Sequence, residues 1–398
     1  MMNKLLINIK GDKPLWAVFV LLASFSFLPV YSSASNLAYL YGDGNTFGYL
    51  FKHFIHLSLG FFLMYMVHKI PYKYFRGISI LMIPVILVLL AYTIFQPGIS
   101  ESMTNSNRWI RIPIVGLGFQ PSTLASIIIL IYVARYLSKI KDKLITFSQS
   151  ILPLWVPVFL TISLILPANF STSAILFSMV VLLCFLGGYP IKYLIGILSS
   201  AVILFSIFLL SVKAYPDLFP NRVDTWKSRI VNFVDSKETK SNYQIEKAKI
   251  AIATGGIRGL GPGKSVQKNF LPQSSSDFIY AIIVEEYGLI GGLALLLLYL
   301  WFLFRVIIIS NKSKSVFGSL LAIALGIPIV FQALVNMAVA VQLFPVTGQP
   351  LPLISSGGTS IWMTCLAIGI IQSVRIGSEN NDNETDENNP LEILKETI

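Results

Sequence analysis

The sequence predicts an all-α polytopic membrane protein with about ten transmembrane helices and a large extracytoplasmic loop between the seventh and eighth helices. Composition is the first observation: 55% of the 398 residues are hydrophobic and 12% are charged, whereas about a quarter of the residues in soluble domains are charged. The second is a series of apolar runs near the roughly 20 residues that a helix needs to cross a bilayer. The third is one long polar segment, 214–276, which interrupts the series.

The apolar runs follow one another along the chain. Lysines precede the first run, as in a signal peptide, but nine further runs follow, so we interpret it as a retained anchor. No internal repeat is evident, and residues 1–377 are predicted to form a single transmembrane domain. The runs are 15–30, 48–67, 77–95, 121–137, 151–166, 172–188, 193–212, 278–304, 316–343 and 358–376.

The basic residues predict the orientation of these helices. With the N-terminus in the cytoplasm, the N-terminal tail and the short inner connections hold fourteen Lys and Arg residues, and the short outer connections hold only Arg108 and Arg111. Membrane proteins show this positive-inside bias. Both termini are therefore predicted to be cytoplasmic, and segment 214–276 to be outside. The C-terminal tail, 378–398, is polar and acidic and is predicted to be disordered.

Cysteine and histidine give little reason to expect a disulfide or a metal centre. Cys184 and Cys365 lie in apolar segments, where small buried side chains are expected. His53 and His56 are three residues apart on one helix face, but no third ligand is evident nearby. No metal site is predicted there.

The stretch 243–288 contains the candidate active residue. It begins as a polar loop and ends as the eighth transmembrane helix, and the change falls at Asp277. Acidic residues at the mouth of an apolar bundle are energetically costly and are functional by default. We therefore predict that Asp277 is the active residue.

The same stretch contains a glycine-rich, basic loop. A short helix is expected from Tyr243 to Thr254, and the two glycines that follow would end it. Spaced glycines beyond it let backbone N–H groups approach an anion, and Arg258 and Lys264 add positive charge. Either the loop binds a phosphate-bearing partner or its charges are simply solvated. ATP binding is not expected, because Arg258 stands where the P-loop motif requires glycine.

Three other polar features are predicted to share the outer side with Asp277. Arg108 and Trp109 precede the fourth span; Trp109 is either an interfacial anchor or part of a ligand site. Lys52, near the outer end of the second span, either snorkels to the interface or pairs with a phosphate. The segment 346–360 joins the last two spans, and its prolines, glycines and hydroxyls predict non-helical backbone that must be buried in protein or line a wet cavity.

At these residues the chain resembles the SEDS family of membrane peptidoglycan glycosyltransferases, which includes FtsW, RodA and SpoVE. The matching stretches are NRWIRIPIVGLGFQPS, the segment from Tyr243 to Gly288, and VTGQPLPLISSGGTS, in the family's order. The residues of the first stretch are more similar to those of the division branch, FtsW, than to those of the elongation branch, RodA. Family side chains are absent at a few positions, where this chain has Thr123, Asn169, Gln273 and Ser356.

The resemblance implies that the protein polymerises lipid II at the outer face of the bacterial cytoplasmic membrane, with undecaprenyl diphosphate leaving. Asp277 would be the catalytic base, and the cations would face the diphosphate. No cofactor is certain, although a divalent cation is possible. Its partners would be a class B penicillin-binding protein transpeptidase and other division proteins at the septum. No nucleic acid partner is implied. Substrate-binding residues would be Lys52, Arg108, Trp109, Arg258, Lys264, Glu285, Ser355 and Gly357.

Two other functions are compatible with the sequence. A lipid II flippase would use the same cations, but it needs a route through both leaflets, whereas the polar motifs gather on the outer side. A scaffold would recruit division proteins through its helices and its acidic tail. Substitution of Asp277 separates these alternatives, because only polymerisation depends on a base.

Overall fold

The structure, a computed structural model, is almost entirely helical. It describes residues 10–41, 46–95, 108–111, 118–141, 143, 145–214, 240–271 and 274–387. The helices are α1 (Lys13–Tyr41), α2 (Thr46–Val67), α3 (Phe75–Phe95), α4 (Pro121–Ile140), α5 (Phe147–Ser150), α6 (Val156–Ile165), α7 (Phe170–Leu186), α8 (Ile191–Ala214), α9 (Lys240–Gly255), α10 (Ile279–Lys312), α11 (Val316–Ala340) and α12 (Gly358–Glu387), and the strands are β1 (Ile110–Arg111) and β2 (Gly118–Phe119).

The predicted spans are present as helices. Within the described part of the chain, nine helical stretches are long and apolar enough to cross a membrane, and α7 is a shorter apolar helix. One of the nine, Phe147–Ile165, joins α5 to α6 through a π-helical turn at Ile151–Trp155. The protein is a polytopic helical membrane protein, as predicted.

The structure of the polar segments agrees in part with what the sequence predicts. α9 covers the helix expected from Tyr243 to Thr254, and Gly256 follows with φ +54°. Residues 215–239 of the long loop lie outside the described residues, as do 388–398 of the predicted tail. α12 continues to Glu387, so the start of that tail is helical. The antiparallel pair β1 and β2 was not anticipated.

Glycines allow α2 and α12 to pack closely at the centre of the bundle. A Cβ on Gly60 would lie 2.8 Å from Cys365 Sγ, and a Cβ on Gly369 would lie 2.9 Å from the Met64 carbonyl oxygen. Small residues bring helix backbones together in membranes, where packing replaces the hydrophobic effect as the driving force. Cys365 and Cys184 are both buried free thiols, as expected.

A buried ion pair fixes the N-terminus of α1 to two distant helices. Asp12 is 5% exposed; its carboxylate accepts hydrogen bonds from the Arg305 guanidinium on α10 and from the Leu15 N–H at the start of α1. The Gln372 side chain on α12 accepts from the Asp12 N–H at 2.7 Å and donates to the Asp12 carbonyl at 3.0 Å. One residue before α1 thus links three helices.

We expect Arg305→Leu to destabilise the protein, because it leaves the buried Asp12 carboxylate without its cation. Losing one partner of such a pair costs about 2–4 kcal/mol. The control is Arg375→Leu, which removes a more exposed pair with Glu379 and should cost less than about 1 kcal/mol. Thermal unfolding in detergent measures both; equal midpoints for the two variants would contradict the role given to the Asp12 pair.

Candidate active site

Asp277 lies just before the first residue of a short buried helix. The helix α10 is broken at Gly288, where φ is +68° and ψ is −173°, so its first part, 279–287, is separate from the long part, 289–312. Asp277 is partly exposed in the turn that precedes the short part. An anion is stabilised at this end of a helix, where N–H groups are unpaired.

The segment 346–357 lies against this turn. A Cβ built on Gly348 would be 3.5 Å from Asp277 Oδ2, so the carboxylate faces this backbone. Residues 351–355 are buried, and Leu353 has a left-handed φ of +64°. Such a conformation is costly for a non-glycine residue and persists where the surroundings enforce it. Of the two situations predicted for this non-helical backbone, burial in protein applies to residues 351–355.

Side chains of the spans satisfy the carbonyl groups of this segment. Asn336 donates to the Gln349 carbonyl at 2.8 Å, Gln332 donates to the Pro350 carbonyl at 2.8 Å, and the Tyr299 hydroxyl donates to the Pro352 carbonyl. Buried backbone groups away from water require such partners. Proline at 350 and 352 also removes two N–H groups that would otherwise need acceptors.

Two serines connect this segment to the Asp277 turn. The Ser355 hydroxyl donates to the Ser276 carbonyl at 2.6 Å and accepts from the Leu351 N–H at 2.7 Å. The Ser356 N–H and hydroxyl both reach the Ser275 carbonyl at 3.0 Å. Ser355 is 2% exposed, so the structure gives it a role in holding the backbone. Its predicted role in substrate binding remains untested.

The start of α12 contacts the elements that carry the other outer residues. His56 packs on Gly358, where a Cβ would lie 2.7 Å from the imidazole, and the exposed Lys52 is one turn earlier on the same face of α2. The Thr359 hydroxyl donates to the Gly118 carbonyl at 2.9 Å. The Trp109 ring lies over Gly118, 3.2 Å from where a Cβ would be.

The glycine-rich loop is fixed to the opposite end of the short helix. The N–H groups of Leu260 and Gly261 donate to the carbonyls of Glu285 and Glu286 at 3.0 and 2.9 Å. In return, the N–H groups of Leu289 and Ile290 donate to the carbonyls of Gly256 and Ile257 at 2.9 and 3.3 Å. These four bonds cap both sides of the break, where helix ends leave unpaired groups.

The loop also binds two buried carboxylates of the chain itself. Glu285, which is fully buried, accepts from the Ser265 hydroxyl and from the N–H groups of Val266 at 3.0 Å and Gln267 at 3.3 Å. Glu286 accepts from the Ser32 hydroxyl on α1. The backbone N–H groups of Val266 and Gln267 in this loop therefore bind an anion of the chain itself. Glu285 thus closes a buried hydrogen-bond network, and its predicted role in substrate binding stays a prediction.

The predicted site residues thus form two groups. Near the start of α12 are Asp277, Lys52, Arg108 and Trp109, together with Ser355 and Gly357. Arg258 and Lys264 are exposed on the loop at the far end of the short helix, and the buried Glu285 lies in the helix at that same end. At 1.5 Å per residue the short helix separates the groups by on the order of 13 Å. One substrate must span this distance to meet both.

Sequence reasoning missed Asn336, Gln349 and Ser32. The signal was available for Asn336, a polar residue inside an apolar span. Among the described residues, no group of three or more His, Cys, Asp or Glu side chains is placed to hold a metal ion. The possible divalent cation is not tested by this observation.

The positions that depart from the resembled pattern mostly have local structural roles. The Asn169 side chain accepts from the Thr172 N–H at 3.2 Å and caps α7. The Thr123 hydroxyl donates to the Gln120 carbonyl at 2.7 Å in the first turn of α4. Gln273 lies outside the described residues.

Comparison with known proteins identifies the family. The sequence profile of FtsW, RodA and SpoVE, described as "Cell cycle protein", matches residues 12–380. The chain belongs to this family. It is 31% identical over 364 residues to "Probable peptidoglycan glycosyltransferase FtsW" of Geobacter sulfurreducens, which covers 89% of this chain and 92% of that protein. The FtsW of the same name from Marinomonas mediterranea is 32% identical over 373 residues, covering 91% and 88%.

Solved structures share the fold of this FtsW/RodA/SpoVE family member. One is a chain from the structure "Structural coordination of polymerization and crosslinking by a peptidoglycan synthase complex", with a TM-score of 0.71, 22% identity, and coverage of 92% of this chain and 98% of that one. Another is the rod shape determining protein RodA of Thermus thermophilus, with a TM-score of 0.64, 20% identity, and coverage of 92% and 96%. The agreement extends over almost the whole bundle.

We expect Gly259→Ala to release the glycine-rich loop, because its Cβ would lie 2.2 Å from the Glu286 carbonyl oxygen. Gly263→Ala is the control: its φ of +76° is close to the +79° of Gly259, but nothing lies within 4 Å of the added Cβ. Both variants carry the strain of left-handed backbone, about 1–2 kcal/mol. Deuterium exchange of residues 259–268 should rise sharply only in Gly259→Ala. Equal exchange in the two variants would contradict the docking described here.

Proposed function

We propose that this protein is a peptidoglycan glycosyltransferase of the FtsW type, which polymerises lipid II at the outer face of the cytoplasmic membrane during cell division. The observation that carries the proposal is the placement of Asp277 beside Gly348, at the end of a helix, among residues of three family motifs. The names of the FtsW relatives support the reaction, and their coverage of about nine-tenths of the chain supports its transfer to this protein.

The proposed chemistry is a displacement at the anomeric carbon of one lipid-linked disaccharide. The 4-hydroxyl of a second disaccharide attacks that carbon, and its proton passes to the Asp277 carboxylate as the new C–O bond forms. The bond to the diphosphate breaks, and undecaprenyl diphosphate leaves with the electron pair. A carboxylate within hydrogen-bond reach of the hydroxyl acts as a general base.

Positive charge near the leaving group stabilises the negative charge that develops on the diphosphate. Lys52 and Arg108 are the proposed sources, because both lie towards the start of α12. The N-terminus of α12 adds its own unpaired N–H groups and dipole. Arg258 and Lys264 are proposed to bind a more distant part of the same substrate or the growing strand. Trp109 is proposed to pack against sugar or lipid.

The cellular setting is proposed from the relatives. A class B penicillin-binding protein is the expected partner, since one structure with the same fold belongs to a synthase complex that couples polymerisation and crosslinking. The septum is the expected location, and the distribution of basic residues supports a cytoplasmic position for both termini.

Asp277→Asn tests the proposal directly. We expect purified wild type with its transpeptidase partner to convert labelled lipid II into polymers on a gel, and Asp277→Asn to lose at least about 100-fold of that rate, because the amide cannot accept the proton. Glu246→Gln, which neutralises an exposed carboxylate on α9, should remain active.

The possible results separate the functions. Normal polymerisation by a folded Asp277→Asn variant would remove Asp277 as the base. A folded wild type that moves lipid II across vesicles but makes no polymer with its partner would favour a flippase.

A further inference from the structure

We propose that Asn336 is a positioning residue for the active carboxylate. It lies in α11, one of the membrane spans, and is 1% exposed. Its side-chain nitrogen donates two hydrogen bonds of 2.8 Å, one to the Asp277 carbonyl and one to the Gln349 carbonyl. The inference rests on the proposed role of Asp277 as the base.

The two acceptors belong to the two segments that form the site. Asp277 is in the turn before the short helix of α10, and Gln349 follows Gly348, the backbone that faces the Asp277 carboxylate. A single amide group therefore fixes the residue that carries the base and the segment next to it. Gln349 extends the link, because its side chain donates to the Thr172 hydroxyl on α7 at 3.0 Å.

Asparagine suits this position for a chemical reason. Both acceptors are carbonyl oxygens, so only the NH₂ end of the amide can face them, and it supplies one N–H for each. Its Oδ1 is buried without a hydrogen-bond partner among the described residues. Leaving a buried polar atom unpaired is costly, so packing alone would favour an apolar residue at this point of an apolar span.

Gln332 provides a matched control on the same helix. It lies one turn before Asn336, and its side-chain nitrogen donates to the Pro350 carbonyl at 2.8 Å. Both amides therefore hold the segment 346–357, but of the two only Asn336 also holds the Asp277 backbone. A difference between Asn336→Leu and Gln332→Leu reports the contribution of the bond to Asp277.

The test measures lipid II polymerisation by the full-length protein with its transpeptidase partner, as initial rates over a range of substrate concentrations. We expect Asn336→Leu to lower kcat by about 10- to 100-fold with KM changed by less than about threefold, because a misplaced base affects the chemical step more than binding. Gln332→Leu should keep both constants within about threefold of wild type. Deuterium exchange of residues 274–278 should rise in Asn336→Leu alone.

The outcomes separate this inference from the proposed function. If wild type polymerises, Asp277→Asn does not, and Asn336→Leu matches Gln332→Leu in kcat and exchange, the positioning role is wrong and the base assignment stands. If Asp277→Asn polymerises, the base assignment fails and the inference fails with it. If Asn336→Leu does not fold, Asn336→Ser replaces it: one hydroxyl can donate to only one of the two carbonyls, and wild-type kcat in that variant would also overturn the proposal.

Discussion

Backbone that leaves helical geometry inside a membrane bundle must find its hydrogen bonds within the protein, and the outer half of this molecule depends on that constraint. The segment 346–357 and the break at Gly288 are the two main places where it applies. At the first, two amides on α11 and one hydroxyl on α10 bind the carbonyls of Gln349, Pro350 and Pro352. At the second, the glycine-rich loop caps both helix ends. Polar side chains in otherwise apolar spans are therefore required where the backbone is irregular.

The short helix between Asp277 and Gly288 connects these two places into one unit. The turn that precedes it is fixed by Ser355, Ser356 and Asn336, and its last residues are fixed by the loop that carries Arg258. A helix of on the order of 13 Å therefore separates the Asp277 turn from the loop cations. Asp277 and the loop cations Arg258 and Lys264 lie at the two ends of this one helix. This arrangement suits a substrate with a reacting sugar at one end and a charged or extended group further along.

The sequence predicted the features that depend on local patterns. Hydrophobic length located the spans that are helices in the described residues, and the change from polar to apolar residues located Asp277 just before a helix. Features that depend on contacts between distant residues were not predictable. Asp12 and Arg305 are 293 positions apart in the sequence, and Asn336 and Asp277 are 59 positions apart. The helix break was hidden because the residues on both sides of Gly288 read as one continuous run. The glycine-rich loop was correctly located, but its closest anions turned out to be glutamates of the chain itself.

The break at Gly288 also has a consequence for biogenesis. The part of α10 after the break, 289–312, exceeds the roughly 20 residues that a membrane crossing needs. Insertion of this span therefore does not require residues 279–287 to enter the bilayer with it. The short helix and the turn before it are bound by the glycine-rich loop, α1 and α11, and α11 follows α10 in the chain. The contacts that hold the Asp277 turn are therefore separate from the apolar length that carries this span across the membrane.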